Sequence, residues 1–260
     1  MADRAVTSFA DIAGIRLEVA RVGRGAPLLL LYGEEALELG APFLDVLAAD
    51  RELVIPSPPG FGRSERPDWV STPDDISYLY LEFLDRLGLN GIQALGCSLG
   101  GWIALEMATK DAGALSRMAL VAPYGVRLGD PTDREIADIW MLHPAAVAKL
   151  KWFDPAKGER DYKAMPEEAL AVVGRNNESF ARFCWEPYMH NPKLRHRLQR
   201  VRAPTLFVWG EHDGIVTPQY GRAYADHVAG ATMAVIARAG HYPHLEQPAA
   251  FMEHLRQFLD

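Results

Sequence analysis

The sequence predicts an α/β protein: a mostly parallel central sheet flanked by helices and interrupted by one all-helical insertion. Three observations carry that reading. Short, unbroken apolar runs recur and end at glycine or proline. Segments of helical period alternate with them. The alternation stops at about residue 126 and resumes after about residue 200. Unbroken apolar runs suit strands buried on both faces, as helices on both sides of a parallel sheet require.

Ile15 to Val22 alternates apolar with polar residues, the period of an early antiparallel strand. Pro27–Leu31 and Leu53–Ile55 are the first unbroken runs. Between Asp75 and Leu87 the apolar residues Ile76, Leu79, Tyr80, Phe83, Leu84 and Leu87 fall at helical spacing, with Gly88 placed to end the helix. Ile92–Leu95 predicts a strand, Leu99–Lys110 a helix and Met118–Ala122 another strand. Inside the insertion, Glu167–Val173 reads as a helix between Pro166 and Gly174, and Leu194–Leu198 as one entered through Asn191-Pro192. Strands return at Thr205–Trp209 and Met233–Ile236, and an amphipathic helix closes the chain from Pro248 to Leu259. The expected division is a sheet domain of residues 1–125 and 201–260 and a helical cap of residues 126–200.

Composition narrows the function. With 27 basic against 34 acidic side chains, the 260-residue chain carries a net charge of −7, which disfavours binding nucleic acid phosphates. The insertion holds 13 basic and 11 acidic residues, so the acidity sits in the sheet domain. Two cysteines, Cys97 and Cys184, are too few for a disulfide framework or a four-cysteine metal site. No apolar run approaches the ~20 residues that span a bilayer, and no signal-peptide pattern opens the chain. The expectation is a cytoplasmic protein with no nucleic-acid or membrane partner; a homodimer is compatible with the chain.

The sharpest motif is Gly96-Cys97-Ser98-Leu99-Gly100-Gly101, directly after one strand and directly before a helix. G-x-S-x-G in that setting is a nucleophile elbow: small residues two positions either side of Ser98 allow a tight turn that lifts its hydroxyl clear of the backbone. The same turn sets the Leu99 amide at a helix N-terminus, where its N–H can stabilise an oxyanion. Cys97, at the variable position, reads as a small buried filler.

On these residues the chain resembles the α/β-hydrolase superfamily. The likeness extends to Pro58-Pro59-Gly60-Phe61-Gly62-Arg63-Ser64, to Trp209-Gly210-Glu211-His212-Asp213, and to Ala239-Gly240-His241 with Glu246-Gln247-Pro248 beyond. It implies an α/β-hydrolase fold in which Ser98 is the nucleophile, His241 the general base and Asp213 its acidic partner. His244 and His212 are rival bases, and Glu211 a rival acid. Where relatives show His-Gly, this chain has Tyr32-Gly33-Glu34-Glu35. The resemblance makes the backbone N–H of Glu34 the second oxyanion donor, beside that of Leu99. Glu34 and Glu35 would then face solvent, or one would bind a basic or hydroxylated substrate group.

Substrate-contacting candidates are Tyr32, Tyr124 and Tyr242 beside these motifs, and Trp140, Phe183 and Trp185 in the cap. His143 and His190 also lie there, with packing or solvent roles expected. The implied activity is a serine hydrolase acting on an ester, lactone or related acyl bond of a small, largely apolar molecule. Carbon–carbon hydrolases of the meta-cleavage-product type are the alternative; they commonly have Trp after the catalytic histidine, where this chain has Tyr242. A non-catalytic ligand receptor on the same fold is a third reading. No metal or organic cofactor is implied, because the protein supplies the nucleophile.

Overall fold

Burial on both faces explains why the central strands read as unbroken apolar runs. In Ala26–Leu31, Leu28 and Leu30 join one core and Leu29 and Leu31 the other. The computed structural model describes residues 5–33, 41–130 and 132–260. Its elements in chain order are β1 (Val6–Ile12), β2 (Ile15–Gly23), β3 (Ala26–Leu31), α1 (Pro42–Leu47), β4 (Arg51–Pro56), α2 (Pro73–Leu87), β5 (Ile92–Cys97), α3 (Leu99–Lys110) and β6 (Leu115–Val121). Then come α4 (Pro144–Lys151), α5 (Glu167–Cys184), β7 (Thr205–Gly210), α6 (Pro218–Ala225), β8 (Thr232–Ile236), α7 (Pro243–Glu246) and α8 (Pro248–Leu259).

The eight described strands form one sheet in the order β1-β2-β4-β3-β5-β6-β7-β8. The β1/β2 and β2/β4 pairs are antiparallel and the remainder parallel. Helices α2 and α3 contribute Phe83, Ile103 and Leu105 to one core, while α1 and α8 contribute Phe43, Phe251 and Leu255 to the other. Parallel strands place their C-terminal ends along one edge of the sheet, where α/β proteins assemble their sites. No helix among the described residues is long and apolar enough to cross a membrane.

Three elements differ from expectation, each for a physical reason. β1 is an edge strand, exposed along most of its length, so the sequence carries no apolar run there. Helix α5 does not stop at Gly174 but continues to Cys184. A mid-helix glycine costs about 1 kcal/mol relative to alanine, and the turns beyond it recover that by burying Ser179, Phe180 and Phe183. The Leu194–Leu198 segment is two short 3-10 turns, Leu194–His196 and Leu198–Arg200. Residues 126–200 add no strand to the sheet among the described residues. This segment lies between β6 and β7 and returns to the sheet domain at several points described below.

Candidate active site

Backbone geometry at the end of β5 fixes Ser98. It takes φ 50° and ψ −113°, a strained pair for any residue with a side chain, and occupies the N-cap position of α3 without a side-chain capping bond. A main-chain bond from Ser98 N–H to Val121 O (2.9 Å) pins the turn to β6. The flanking glycines are required sterically. A Cβ at Gly96 would lie 2.8 Å from Gly101 Cα, and one at Gly100 would overlap the carbonyl of Leu31. Without side chains there, α3 starts hard against the ends of β3 and β5. Leu99 is the first residue of that helix, where backbone N–H groups have no intrahelical acceptor.

The hydroxyl of Ser98 lies 2.6 Å from His241 Nε2. On the other side of the ring, Nδ1 lies 2.8 Å from Asp213 Oδ2. All three side chains are buried. The carboxylate can only accept, so Nδ1 carries the proton and Nε2 presents its lone pair to the Ser98 O–H. Asp213 is itself held: its Oδ1 accepts from Ile215 N–H (2.9 Å) and Val216 N–H (3.1 Å). The imidazole is clamped by aromatic rings. Tyr124 stacks on it at 5.3 Å and 17°, and Tyr242 meets it edge-on at 5.0 Å.

The rival residues go elsewhere. His244 is packed between Phe43 and Phe251 in the core on the α1/α8 face. His212 is half exposed beside Glu211, with Nε2 3.4 Å from its carboxylate. Cys97 faces the same core as α8, consistent with a filler. His143 caps α4 by accepting from Ala145 N–H, and His190 Nδ1 contacts the carbonyl of Tyr188. Glu34 and Glu35 fall outside the described residues.

The remaining candidates divide between the ring stack and general packing. Trp140 contacts Phe180 at 5.7 Å, and Phe180 contacts Tyr124 at 6.2 Å, so an aromatic chain runs from the inserted segment to His241. Trp185 packs on Trp140 but is 57% exposed. Phe183 stacks on Phe61 within the α2/α3 core. Tyr32 meets Ser57 Oγ at 2.9 Å. Ser57 donates onward to Glu18 (3.3 Å), so Tyr32 is the donor in the first bond. Burial pushes the Tyr32 phenol up to about 12, which keeps that proton in place.

Sequence reasoning missed how the inserted segment grips these loops. His241 N–H donates to Lys151 O (2.7 Å), and Gly214 N–H donates to Leu150 O (2.9 Å). Ala137 N–H donates to Ile215 O (2.9 Å). Carbonyl acceptors have no side-chain signature, so no residue type announces them. On the opposite side, α5 meets the loop that follows β4. Gly62 N–H donates to Asn176 Oδ1 (2.9 Å), Arg175 Nε to Gly60 O (3.1 Å) and Ser179 Oγ to the same carbonyl (2.9 Å).

Between α4 and α5 lies a groove of about 720 Å³, lined by Ile139, Trp140, Val147, Trp152, Tyr162 and Phe180 among others. Its wall residues Lys151 and Trp152 are the ones that touch the His241 loop, through the Lys151 carbonyl and through Trp152 against Tyr242 at 4.9 Å.

Similarity to known proteins agrees with this fold. The 2-hydroxymuconate semialdehyde hydrolase of Pseudomonas sp. (strain CF600) is 27% identical over 260 residues, covering 95% of this chain and 91% of its own. Among solved structures, a serine hydrolase involved in carbazole degradation superposes with a TM-score of 0.78 at 20% identity, covering 98% of both chains. A thermophilic esterase from Thermogutta terrifontis gives 0.74 at 21% identity, again covering 98% of both. The alpha/beta hydrolase family matches residues 32–254, most of the sequence, and the chain belongs to that family.

Proposed function

We propose that the protein is a serine hydrolase that cleaves an ester, lactone or related acyl bond of a small, largely apolar substrate through an acyl-enzyme. The observation that carries the reading is the pair of short contacts on one imidazole, 2.6 Å to Ser98 and 2.8 Å to Asp213. Ser98 Oγ attacks the acyl carbonyl carbon as its proton passes to His241 Nε2, and the imidazolium that forms is stabilised by Asp213. The oxyanion is received by the Leu99 N–H at the start of α3; the second donor that the resemblance implies, the Glu34 N–H, lies outside the described residues. His241 then protonates the departing oxygen. In the second half it takes a proton from water, which attacks the acyl carbon, and it returns that proton to Ser98 Oγ as the acyl–oxygen bond breaks. The aromatic path from His241 through Tyr124 and Phe180 to the groove at Trp140 favours an apolar acyl or aryl group, with Tyr242 and Trp185 at its margins. Composition and charge support a cytoplasmic enzyme.

A second reading is favoured by one finding: the 2-hydroxymuconate semialdehyde hydrolase covers nearly the whole chain. The same triad would then serve cleavage of a carbon–carbon bond in a vinylogous diketone. Turnover of p-nitrophenyl esters from acetate to octanoate, run beside a vinylogous diketone, separates the two. Ester turnover that Ser98→Ala abolishes supports the first reading. Preferential cleavage of the diketone moves the assignment to the second. Binding of either compound without turnover would contradict both.

A further inference from the structure

Glu246 is a buried carboxylate that the proposed chemistry does not use. It ends α7 and is 3% exposed. Three backbone N–H groups converge on it, from two parts of the chain far apart in sequence. Oε2 accepts from Gly240 (2.6 Å) and from Phe153 (3.2 Å), and Oε1 accepts from Asp154 (3.0 Å). Its own carbonyl accepts from Lys157 Nζ (2.9 Å). The next peptide repeats the connection in the other direction, with His241 N–H donating to Lys151 O. The chain from 151 to 154 is thus laced to residues 240 and 241 by one carboxylate and one carbonyl.

The packing leaves little slack. A Cβ at Gly240 would overlap the Lys151 carbonyl, so the two backbones touch directly. The three groups that hydrogen-bond to the carboxylate among the described residues are all N–H donors. An amide in its place would have to turn its own N–H groups toward at least one of them. Hydrogen bonds to an ionised acceptor are shorter and stronger than neutral ones, which suits a clamp that must not drift. The residue so held is the neighbour of His241, whose ring must keep Nε2 in line with Ser98.

Resting on the serine hydrolase reading, we propose that Glu246 is a positioning residue. It locks the inserted segment to the His241 loop and thereby sets the distance between the imidazole and Ser98. Small displacements of a base are costly: about 1 Å can lower the rate roughly 100-fold. The larger effect belongs in kcat, because the clamp acts on the backbone beside His241, while Lys151 and Trp152, which also line the groove, carry a smaller change into KM.

The test is Glu246→Gln, measured on p-nitrophenyl butyrate, with kcat expressed per site titrated by a fluorophosphonate so that unfolded protein is not counted. A kcat lower by about tenfold or more is expected, with KM within about threefold. Proton NMR gives a readout that does not depend on turnover. The far-downfield resonance of the His241–Asp213 hydrogen bond should shift or broaden in the variant. Should Glu246→Gln fail to fold, Glu246→Asp keeps the charge but shortens the reach, and should lower kcat about threefold with the same change in the resonance. Wild-type kcat within twofold, or a kcat loss with the resonance unmoved, would overturn the proposal. A wild-type protein inert toward the ester would count against the ester-cleaving reading alone, and the resonance would still judge the clamp.

Discussion

The inserted segment meets the sheet domain along two sides, and they are built differently. Along α4 and the residues after it, main-chain pairs and one buried carboxylate lead the contacts, with Trp152 on Tyr242 and Lys157 on the Glu246 carbonyl beside them, and they end on the loops that carry His241 and Asp213. Along α5, beside the buried packing of Phe180 and Phe183, the polar contacts come from side chains, several of them long and charged. Arg175 reaches the carbonyl of Gly60, Arg66 pairs with Glu178 at 2.7 Å, and Arg182 pairs with Asp68 at 3.4 Å. The partner acids here are well exposed, with Asp68 open to solvent. Backbone contacts have no rotamer freedom to lose, whereas exposed ion pairs are worth about 0–1 kcal/mol each and weaken with salt. The α4 side therefore moves only if the triad moves with it. The exposed ion pairs of α5 can loosen one by one and leave the triad intact.

Substitutions on each side sharpen that contrast, beginning with the largest effect. Asp213→Asn keeps the shape of the acid but takes away a carboxylate that holds Nδ1–H. In triads of this kind that change costs about 10⁴-fold in kcat. Stopped-time assays on p-nitrophenyl butyrate at saturating ester would measure it, and a loss below tenfold would detach Asp213 from the chemistry. Gly240→Ala drives a methyl group into the Lys151 carbonyl. Overpacking of that kind destabilises by about 1–3 kcal/mol. Because the strain falls beside His241, kcat should drop about 100-fold while KM holds. Thermal melting together with steady-state kinetics would separate the two effects.

Arg175→Ala is the matched change on the α5 side. It should lower stability by about 1–3 kcal/mol, in keeping with two part-buried charged hydrogen bonds, to Gly60 O and Ser64 O. Turnover should stay within threefold of wild type. A loss as large as that of Gly240→Ala would erase the distinction between the two sides.

The smallest effect at neutral pH is expected at Tyr32, which joins the end of β3 to Ser57 and Glu18. Its phenol is raised by burial to about 12 in the folded protein, from an ordinary value near 10. Below about pH 10 both folded and unfolded chains hold the proton, and its contribution to stability is complete. Between about 10 and 12 the unfolded chain gives the proton up first, so stability falls as pH rises. Denaturant melts at pH 9, 10 and 11 should show that decline, with a shallower slope in Tyr32→Phe.

The same contrast explains what the sequence disclosed. Ser98 sits in a motif whose glycines and flanking strands are local requirements, so it could be named from its neighbours, whereas Asp213 and His241 were named through the resemblance to the α/β-hydrolase superfamily. β3, β5 and β7 were legible because both of their faces are buried. β1 was not, since an exposed edge strand needs no apolar pattern. The extent of α5 was hidden by Gly174, whose local preference is overruled by the packing of Phe180 and Phe183. Least legible was the α4 side. The carbonyls of Leu150 and Lys151 act without side chains, and Glu246 looks like any other glutamate until three N–H groups are found around it. Of the pocket candidates, Tyr124, Tyr242 and Trp140 join the aromatic path around His241, whereas Phe183 serves packing against Phe61.

The central claim is that Ser98 is activated by His241. The most direct measurement treats the folded protein with a fluorophosphonate at pH 7.5 and locates the adduct by peptide mass spectrometry, with Ser98→Ala and His241→Ala in parallel. The account predicts a single adduct on Ser98, absent from Ser98→Ala and formed far more slowly in His241→Ala. An unmodified Ser98 in the folded wild-type protein, or equal labelling when His241 is removed, would contradict it.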